Sequence, residues 1–134
     1  MPQMIFVNLP VKDLDRSKAF FAALGFSFNP QFTDETAACM VISDTIFARL
    51  LTHEKFASFS PKPIADTSQS LEVLIALSRD SREAVDAIVA AALGAGGTTF
   101  SEPKDYGFMY AHGFLDLDGH VWEVMWMDES ATQQ

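Results

Sequence analysis

NLPVKDLDRSKAFFAALGF, at residues 8–26, is the stretch that decides the fold, because a strand pattern ends and a helix pattern begins inside it. Apolar residues alternate over residues 4–11, which is the period of a β-strand. Asp13 then stands where a helix N-cap would, and apolar residues recur at helical spacing until Gly25 supplies a stop. The stretch therefore predicts a strand followed by a helix of about three turns.

The same order of elements recurs in the second half of the chain. Three short β-prone runs follow the first helix, at residues 26–32, 36–43 and 45–52. Periodicity then fails from His53 to Ser70, where serine and proline are frequent, so no helix is predicted there. Beyond it we predict a strand at residues 71–77 and a helix that Ser81 caps and that ends at Gly94. Three more strands are predicted at residues 98–101, 109–117 and 121–127.

The order βαβββ thus occurs twice, and we predict one domain over residues 1–134 that contains two modules. They lie at about residues 4–59 and 71–128, with a linker at about 60–70. The first strands end at Val11 and Leu77, 66 positions apart. The turns before the closing strands, Ser43-Asp44 and Asp118-Gly119, are 75 positions apart. Insertions at helix ends and loops account for the difference, because loops accept extra residues most easily.

Charge and composition exclude several classes of protein. Eighteen acidic residues oppose nine basic ones, and the net charge of -9 is the wrong sign for binding nucleic acid phosphates. The single cysteine, Cys39, cannot form an internal disulfide, which favours a cytoplasmic location. No signal peptide is predicted, and no apolar run approaches the roughly 18 residues of a membrane-spanning helix. We therefore expect neither nucleic acid nor membrane as a partner.

Two segments carry a family resemblance. The opening strand and helix at residues 8–26, together with DLDGHVWE at residues 116–123, resemble the vicinal oxygen chelate superfamily. This superfamily includes glyoxalase I, the bleomycin-resistance proteins and the extradiol dioxygenases, and the chain is most similar to its bacterial lactoylglutathione lyase-like group. The resemblance implies an α+β fold, in which two tandem βαβββ modules form a cup-shaped mixed sheet with the helices on the outside.

The resemblance also implies where a site lies. In metal-binding members, the first and last strands of each module direct four side chains into the cup, and the modular offsets place these positions at Phe6, Ala48, Glu72 and Glu123. Glu123 is the expected metal ligand, and Glu72 is a ligand or the catalytic base. Two carboxylates without imidazole make a weak site for nickel, zinc or manganese.

Four residues are expected to contact a small-molecule ligand rather than a metal. They are Phe6, Asn8, Ala48 and His112. Asn8 offers a neutral oxygen if the first strand is shifted by two residues, and alternation along its strand gives His112 a chance to face inward.

Two functions remain open at this point. In the first, the protein is a lyase or isomerase whose metal polarises a carbonyl or enediolate oxygen while a carboxylate moves a proton. In the second, it is a metal-free binding protein of the bleomycin-resistance type that sequesters a cationic or aromatic small molecule. A dimerising or regulatory domain without ligand is a third alternative. The apolar content of 49% and the aromatic C-terminal strands also predict a homodimer.

Overall fold

The computed structural model describes residues 2–132 and divides into two compact units, the first ending at Asp66 and the second beginning at Thr67. The first unit contains, in chain order, β1 (Ile5–Val11), α1 (Leu14–Ala23), β2 (Ser27–Phe28), a 3-10 turn (Pro30–Phe32), β3 (Ala37–Val41), β4 (Ile46–Thr52) and α2 (His53–Phe59). The second contains β5 (Leu74–Ser78), α3 (Arg82–Gly94), β6 (Lys104–Asp105), β7 (Met109–Leu115), β8 (Val121–Met127) and α4 (Glu129–Thr132).

Each unit holds one four-stranded mixed sheet, and the two sheets have the same strand order. The orders are β1-β4-β3-β2 and β5-β8-β7-β6. In both, the first strand runs parallel to the last, and the other pairs are antiparallel. The prediction of an α+β fold made of two βαβββ modules is confirmed.

The helix starts follow from local capping chemistry. Asp13 accepts a hydrogen bond from the backbone N–H of Arg16 at 3.1 Å, and Ser81 Oγ accepts one from Ala84 at the same distance. Both side chains therefore satisfy an N–H that the first helical turn leaves without a partner. The first helix is followed by Gly25 at φ 102°, a conformation that glycine adopts without steric cost.

The structure corrects three element predictions. The segment 53–59 is the helix α2 rather than a connection, because Thr52 Oγ1 caps it by accepting from the Lys55 N–H at 3.2 Å. The predicted strand at 26–32 is only two residues long, since Pro30 has no N–H to donate and begins a 3-10 turn. The predicted strand at 98–101 is reduced to a single bridge between Thr98 and Leu115.

No helix within residues 2–132 is long and apolar enough to cross a membrane. Each unit instead buries apolar side chains between its sheet and a helix. Phe20 and Phe21 of α1 are at most 2% exposed, and Val85, Val89 and Ala92 of α3 are equally buried. Burial of this kind supplies the main driving force for folding each unit.

Candidate functional site

Helices cover both faces of the first sheet. One face, the α1 face, carries six side chains that are each at most 3% exposed: Leu9, Val11, Ala38, Met40, Ala48 and Leu50. The opposite face, the α2 face, carries Phe6 and Asn8 from β1 and Phe47, Arg49 and Leu51 from β4. Two phenylalanines of α2 lie beside Asn8 and Arg49, which places this helix on that face.

A cavity of about 420 Å³ lies on the α2 face. Its lining combines apolar and polar groups: Asn8, Arg49, Leu51, Phe56, Phe59 and Ser60. The sheet supplies the polar base through β1 and β4, and α2 supplies the aromatic wall. Cavities of this size that place polar groups beside apolar ones are found at small-molecule sites.

Arg49 is the charged group of this cavity. Its Nε donates to Asn8 Oδ1 at 2.5 Å, a contact that follows from the parallel register, in which the two residues are direct neighbours. Its guanidinium carbon lies 5.7 Å from the centre of the Phe59 ring, within the range of a cation–π contact. Lys55 brings a second positive charge, with Nζ 5.2 Å from the centre of the same ring.

The α2 face also buries the thiol of Cys39, the partner of Arg49 in the β3–β4 register. Burial raises the pKa of this thiol, while the charge of Arg49 acts in the opposite direction. The charge of Arg49 therefore acts on a neighbouring buried group of the sheet as well as in the cavity that Arg49 lines.

The structure places the predicted first-unit residues as follows. Asn8 lies in the cavity beside Arg49. Phe6 is on the same face, stacks on Phe47 at 4.9 Å between ring centres, and is 46% exposed. The prediction that Ala48 shares a face with Phe6 is wrong, because Ala48 is 1% exposed and lies on the α1 face, opposite to Phe6. Successive side chains of a strand point to opposite faces, and Phe6 pairs with Phe47 rather than Ala48.

The prediction that Glu72 lies within a strand is also wrong. Glu72 precedes β5 by two residues and is exposed, so it does not occupy a strand position. The predicted strand began at Leu71, whereas parallel pairing with β8 begins only at Leu74. A role as ligand or base requires a position within the strand. Glu72 is exposed and lies outside the paired residues, so it does not meet this requirement.

Two contacts identify the face of the second sheet that packs against α3. Tyr110 donates to Asp86 of α3 at 2.6 Å, and Arg82 of α3 lies 4.7 Å from the centre of the Trp126 ring. Tyr110 and Trp126 are register partners, so their face is the α3 face. Trp122, Val124 and Leu77 share it.

The helix-facing pairs Leu9–Leu50 and Leu77–Val124 then align the two units. The first strands are 68 positions apart and the closing strands 74, rather than 66 and 75. The equivalent of Phe6 is thus Leu74, and the equivalent of Glu123 is Arg49. A second match supports the offset of 74, since the turns Ile42–Ile46 and Asp116–His120 close with the same backbone hydrogen bond, at 3.0 and 3.1 Å.

Glu123 lies opposite the α3 face, on what we term the Glu123 face, between the register partners Gly113 and Ala76. It is half-buried. The prediction that His112 faces inward is wrong, because His112 pairs with Val124 and so lies on the α3 face. There its Nε2 is 3.2 Å from the Ser101 carbonyl oxygen. His112 and Glu123 therefore point to opposite sides of the second sheet.

The metal that the family resemblance implies does not fit these residues. The four equivalent strand positions hold Phe6, Arg49, Leu74 and Glu123, which is one carboxylate, one cation and two groups without a lone pair to donate. Divalent transition metals need several nitrogen, sulfur or oxygen ligands. Within residues 2–132, no three His, Cys, Asp or Glu side chains are grouped so that they could hold an ion.

A buried carboxylate organises the turn that leads into β8. Asp116 is 7% exposed and accepts hydrogen bonds from the backbone N–H groups of Asp118 and His120 and from Trp122 Nε1, at 2.9 to 3.0 Å. Burial raises the pKa of this carboxyl group, and the nearby His120 and the three hydrogen bonds oppose that effect. His120 itself is 5% exposed, so this turn residue is buried rather than solvated.

Sequence reasoning missed Arg49 and α2, which supply three of the six residues that line the cavity. A usable signal was present in the strand patterns, because Ala48 and Leu50 alternate in phase with Trp122 and Val124 at an offset of 74. A one-residue slip in that offset moves every side chain to the other face, which is how Ala48 replaced Arg49 in the prediction.

Comparisons with known proteins agree with the fold. A model of the bleomycin resistance protein-like N-terminal family matches residues 3–43. A hypothetical protein from S. aureus is 32% identical, with 93% of this chain and 94% of that chain covered and a TM-score of 0.78. Comparison with curated proteins gave no match.

Two further solved structures share the fold at lower identity. A glyoxalase/bleomycin resistance protein/dioxygenase family enzyme from Burkholderia phytofirmans PsJN is 21% identical, covering 94% of this chain and 99% of that chain, with a TM-score of 0.77. A lactoylglutathione lyase from Agrobacterium tumefaciens is 16% identical, covering 94% and 95%, with a TM-score of 0.67.

Proposed function

The chain belongs to the vicinal oxygen chelate superfamily, and within it we propose that the protein is a metal-independent binding protein whose small-molecule ligand occupies the cavity on the α2 face. The cavity itself carries this proposal, because it joins an aromatic wall to a polar base inside one unit. The binding-protein hypothesis is preferred over the metal-assisted one because three of the four equivalent strand positions hold no metal ligand.

Phe59 provides a direct test of the cavity. It lines the cavity and is 58% exposed, so Phe59→Ala removes an aromatic wall at little cost to folding. Phe32→Ala is the matched control, since Phe32 is 65% exposed in the same unit and does not line the cavity. Benzamide, a neutral aromatic probe, is titrated by NMR in buffer that contains EDTA.

We expect benzamide to bind in EDTA, with affinity reduced at least threefold by Phe59→Ala and unchanged by Phe32→Ala. In a parallel titration without EDTA, adding nickel should leave the binding unchanged. Failure of every aromatic probe, neutral or charged, to bind, binding that requires nickel, or equal effects of the two variants would overturn the proposed function.

A second candidate function, a metal-assisted lyase or isomerase, rests on Glu123. This residue stands in the closing-strand segment DLDGHVWE that resembles the superfamily and lies on the side of the sheet away from α3. Metal analysis of untagged protein, followed by nickel, zinc and manganese titration of the parent and Glu123→Gln, distinguishes the two candidates. Stoichiometric metal that is lost in Glu123→Gln would favour the enzyme over the binding protein.

We also propose a homodimer. Large apolar side chains are exposed on the first strands of both sheets, with Ile5 and Leu74 54% and 58% exposed. Edge strands with exposed apolar residues are surfaces that proteins usually cover. Sedimentation equilibrium at micromolar concentration should give twice the 14.8 kDa mass of the chain, and a monomer at every concentration would contradict the proposal.

A further inference from the structure

Arg49 carries a positive charge that the protein does not neutralise. Acidic residues outnumber basic ones by eighteen to nine, yet within residues 2–132 no carboxylate lies within ion-pair distance of this guanidinium. By contrast, Arg82 of the second unit pairs with Asp105 at 3.1 Å. An arginine that lines a cavity without a carboxylate partner has the charge that an anionic ligand would complete.

The remaining donors of Arg49 are oriented by its neighbours. Its Nε–H is used by Asn8, and Phe59 lies against the guanidinium, so two contacts hold the group in place. The N–H groups on its two terminal nitrogens make no hydrogen bond within the described part of the chain. Such a planar pair of donors matches the two oxygens of a carboxylate, phosphate or phosphonate.

We infer that the ligand of the α2-face cavity carries an oxyanion attached to a flat apolar group, with the oxyanion bound by Arg49 and the apolar group packed on Phe56 and Phe59. This inference rests on the proposed function and narrows it to a class of ligand. It replaces the cationic ligand of the binding-protein hypothesis, because a cation in this cavity would be repelled by Arg49 and by nearby Lys55.

Three probes of nearly equal size separate charge from shape: benzoate, benzamide and benzylamine. Their dissociation constants are measured by NMR titration in EDTA at low salt. We expect benzoate to bind at least tenfold more tightly than benzamide and benzylamine to bind least. Raising the salt concentration should weaken benzoate and leave benzamide unchanged, because screening acts on the charged pair alone.

Variants of the guanidinium identify the group responsible. Arg49→Gln should remove the preference of benzoate over benzamide, and Arg49→Lys should retain part of it. Arg16→Gln is the matched control, because Arg16 is an exposed arginine of α1 and does not line the cavity. Asn8→Asp is a second variant, which keeps Arg49 and the size of residue 8 but places a carboxylate beside the guanidinium. It too should remove the preference for benzoate.

The outcomes separate the two proposals. Benzamide binding that Phe59→Ala weakens, without any preference for benzoate, would overturn the oxyanion inference and leave the proposed function standing. Absence of binding by all three probes would overturn both. A benzoate preference that survives Arg49→Gln and Asn8→Asp would also overturn the inference, whereas loss of the preference in both variants but not in Arg16→Gln supports it.

Discussion

The two units place opposite charges at the same point of the same fold. Arg49 in β4 and Glu123 in β8 are equivalent once the helix-facing residues are aligned, and each lies on the face away from the first helix of its unit. In the first unit α2 covers that face and forms a cavity, whereas in the second unit the Phe100 side chain lies against Gly113 there. The backbone repeats and the chemistry does not, so a site built from four equivalent ligands is not expected.

A second contrast lies in the turns before the closing strands. The turn from Ile42 to Ile46 is closed by its backbone hydrogen bond, together with short-range polar contacts of an exposed serine. The equivalent turn from Asp116 to His120 adds a buried carboxylate that binds three donors. We therefore expect the second turn to be far more sensitive to substitution than the first.

The largest predicted effect comes from removing that carboxylate. Asp116→Ala leaves three donors without their acceptor and should lower the free energy of unfolding by about 2 to 4 kcal/mol. Urea unfolding monitored by circular dichroism measures the stability of both units, and tryptophan fluorescence reports separately on the second unit, which holds Trp122 and Trp126.

The matched control is Asp44→Ala, at the exposed position of the first turn that is equivalent to Asp118. It should change stability by no more than about 0.5 kcal/mol, the usual range for a surface substitution. Equal effects of the two substitutions would show that the turns do not differ as described.

The first helical residues give a comparison of intermediate size. Leu14 begins α1 and is 7% exposed, whereas its equivalent, Arg82, begins α3 and pairs with Asp105 and Trp126. Leu14→Ala should cost about 2 kcal/mol through the cavity it leaves. Arg82→Ala should cost about 1 kcal/mol or less, because its side chain is 40% exposed and its ion pair is screened by solvent.

Circular dichroism during urea unfolding compares Leu14→Ala and Arg82→Ala in the same buffer. High salt should reduce the cost of Arg82→Ala and leave that of Leu14→Ala unchanged. A larger loss for Arg82→Ala than for Leu14→Ala would contradict the view that burial outweighs the surface ion pair.

Most of the fold could be predicted from the sequence because its signals are local. The Asp13 and Ser81 caps, the stop at Gly25 and the alternation in β1 each depend on neighbouring residues, and each was placed correctly. The helix α2 was missed because its seven residues lie next to a serine- and proline-rich segment that masks their periodicity.

The site was harder to predict because it depends on which face of the sheet each strand residue occupies. Which face a strand residue occupies is fixed by pairing with a distant strand, and an error of one position reverses it. Ala48 was misplaced in this way, by one position from Arg49. Glu72 was misplaced by two positions from Leu74, which keeps the face but puts the residue before the first paired position of β5. Asn8 and Arg49 are 41 positions apart, and only the parallel pairing of β1 with β4 brings them together.

The smallest predicted effect concerns two aspartates with opposite pKa shifts. Hydrogen bonds from Thr36 lower the pKa of Asp34 in the first unit, whereas burial raises that of Asp116 in the second. The contribution of Asp34 to stability is present above its unfolded pKa and is lost as pH falls through its folded pKa. That of Asp116 is present below its unfolded pKa and is lost as pH rises through its folded pKa.

Carbon-detected NMR titration of the two side-chain carboxyl groups measures both values. Asp34 should titrate at lower pH than an aspartate in an unfolded peptide, and Asp116 at higher pH. If Asp116 titrated below Asp34, the three hydrogen bonds would outweigh burial, and the assignment of a raised pKa would be wrong.

The ligand is proposed to bind on the α2 face of the first unit, and amide chemical shift mapping with benzoate in EDTA tests this most directly. The predicted result is that the largest shifts occur at the cavity residues Asn8, Arg49, Leu51, Phe56, Phe59 and Ser60, together with the Arg49 Nε–H. Shifts centred on Glu123 and its register partners Gly113 and Ala76, with the Arg49 signals unmoved, would contradict it.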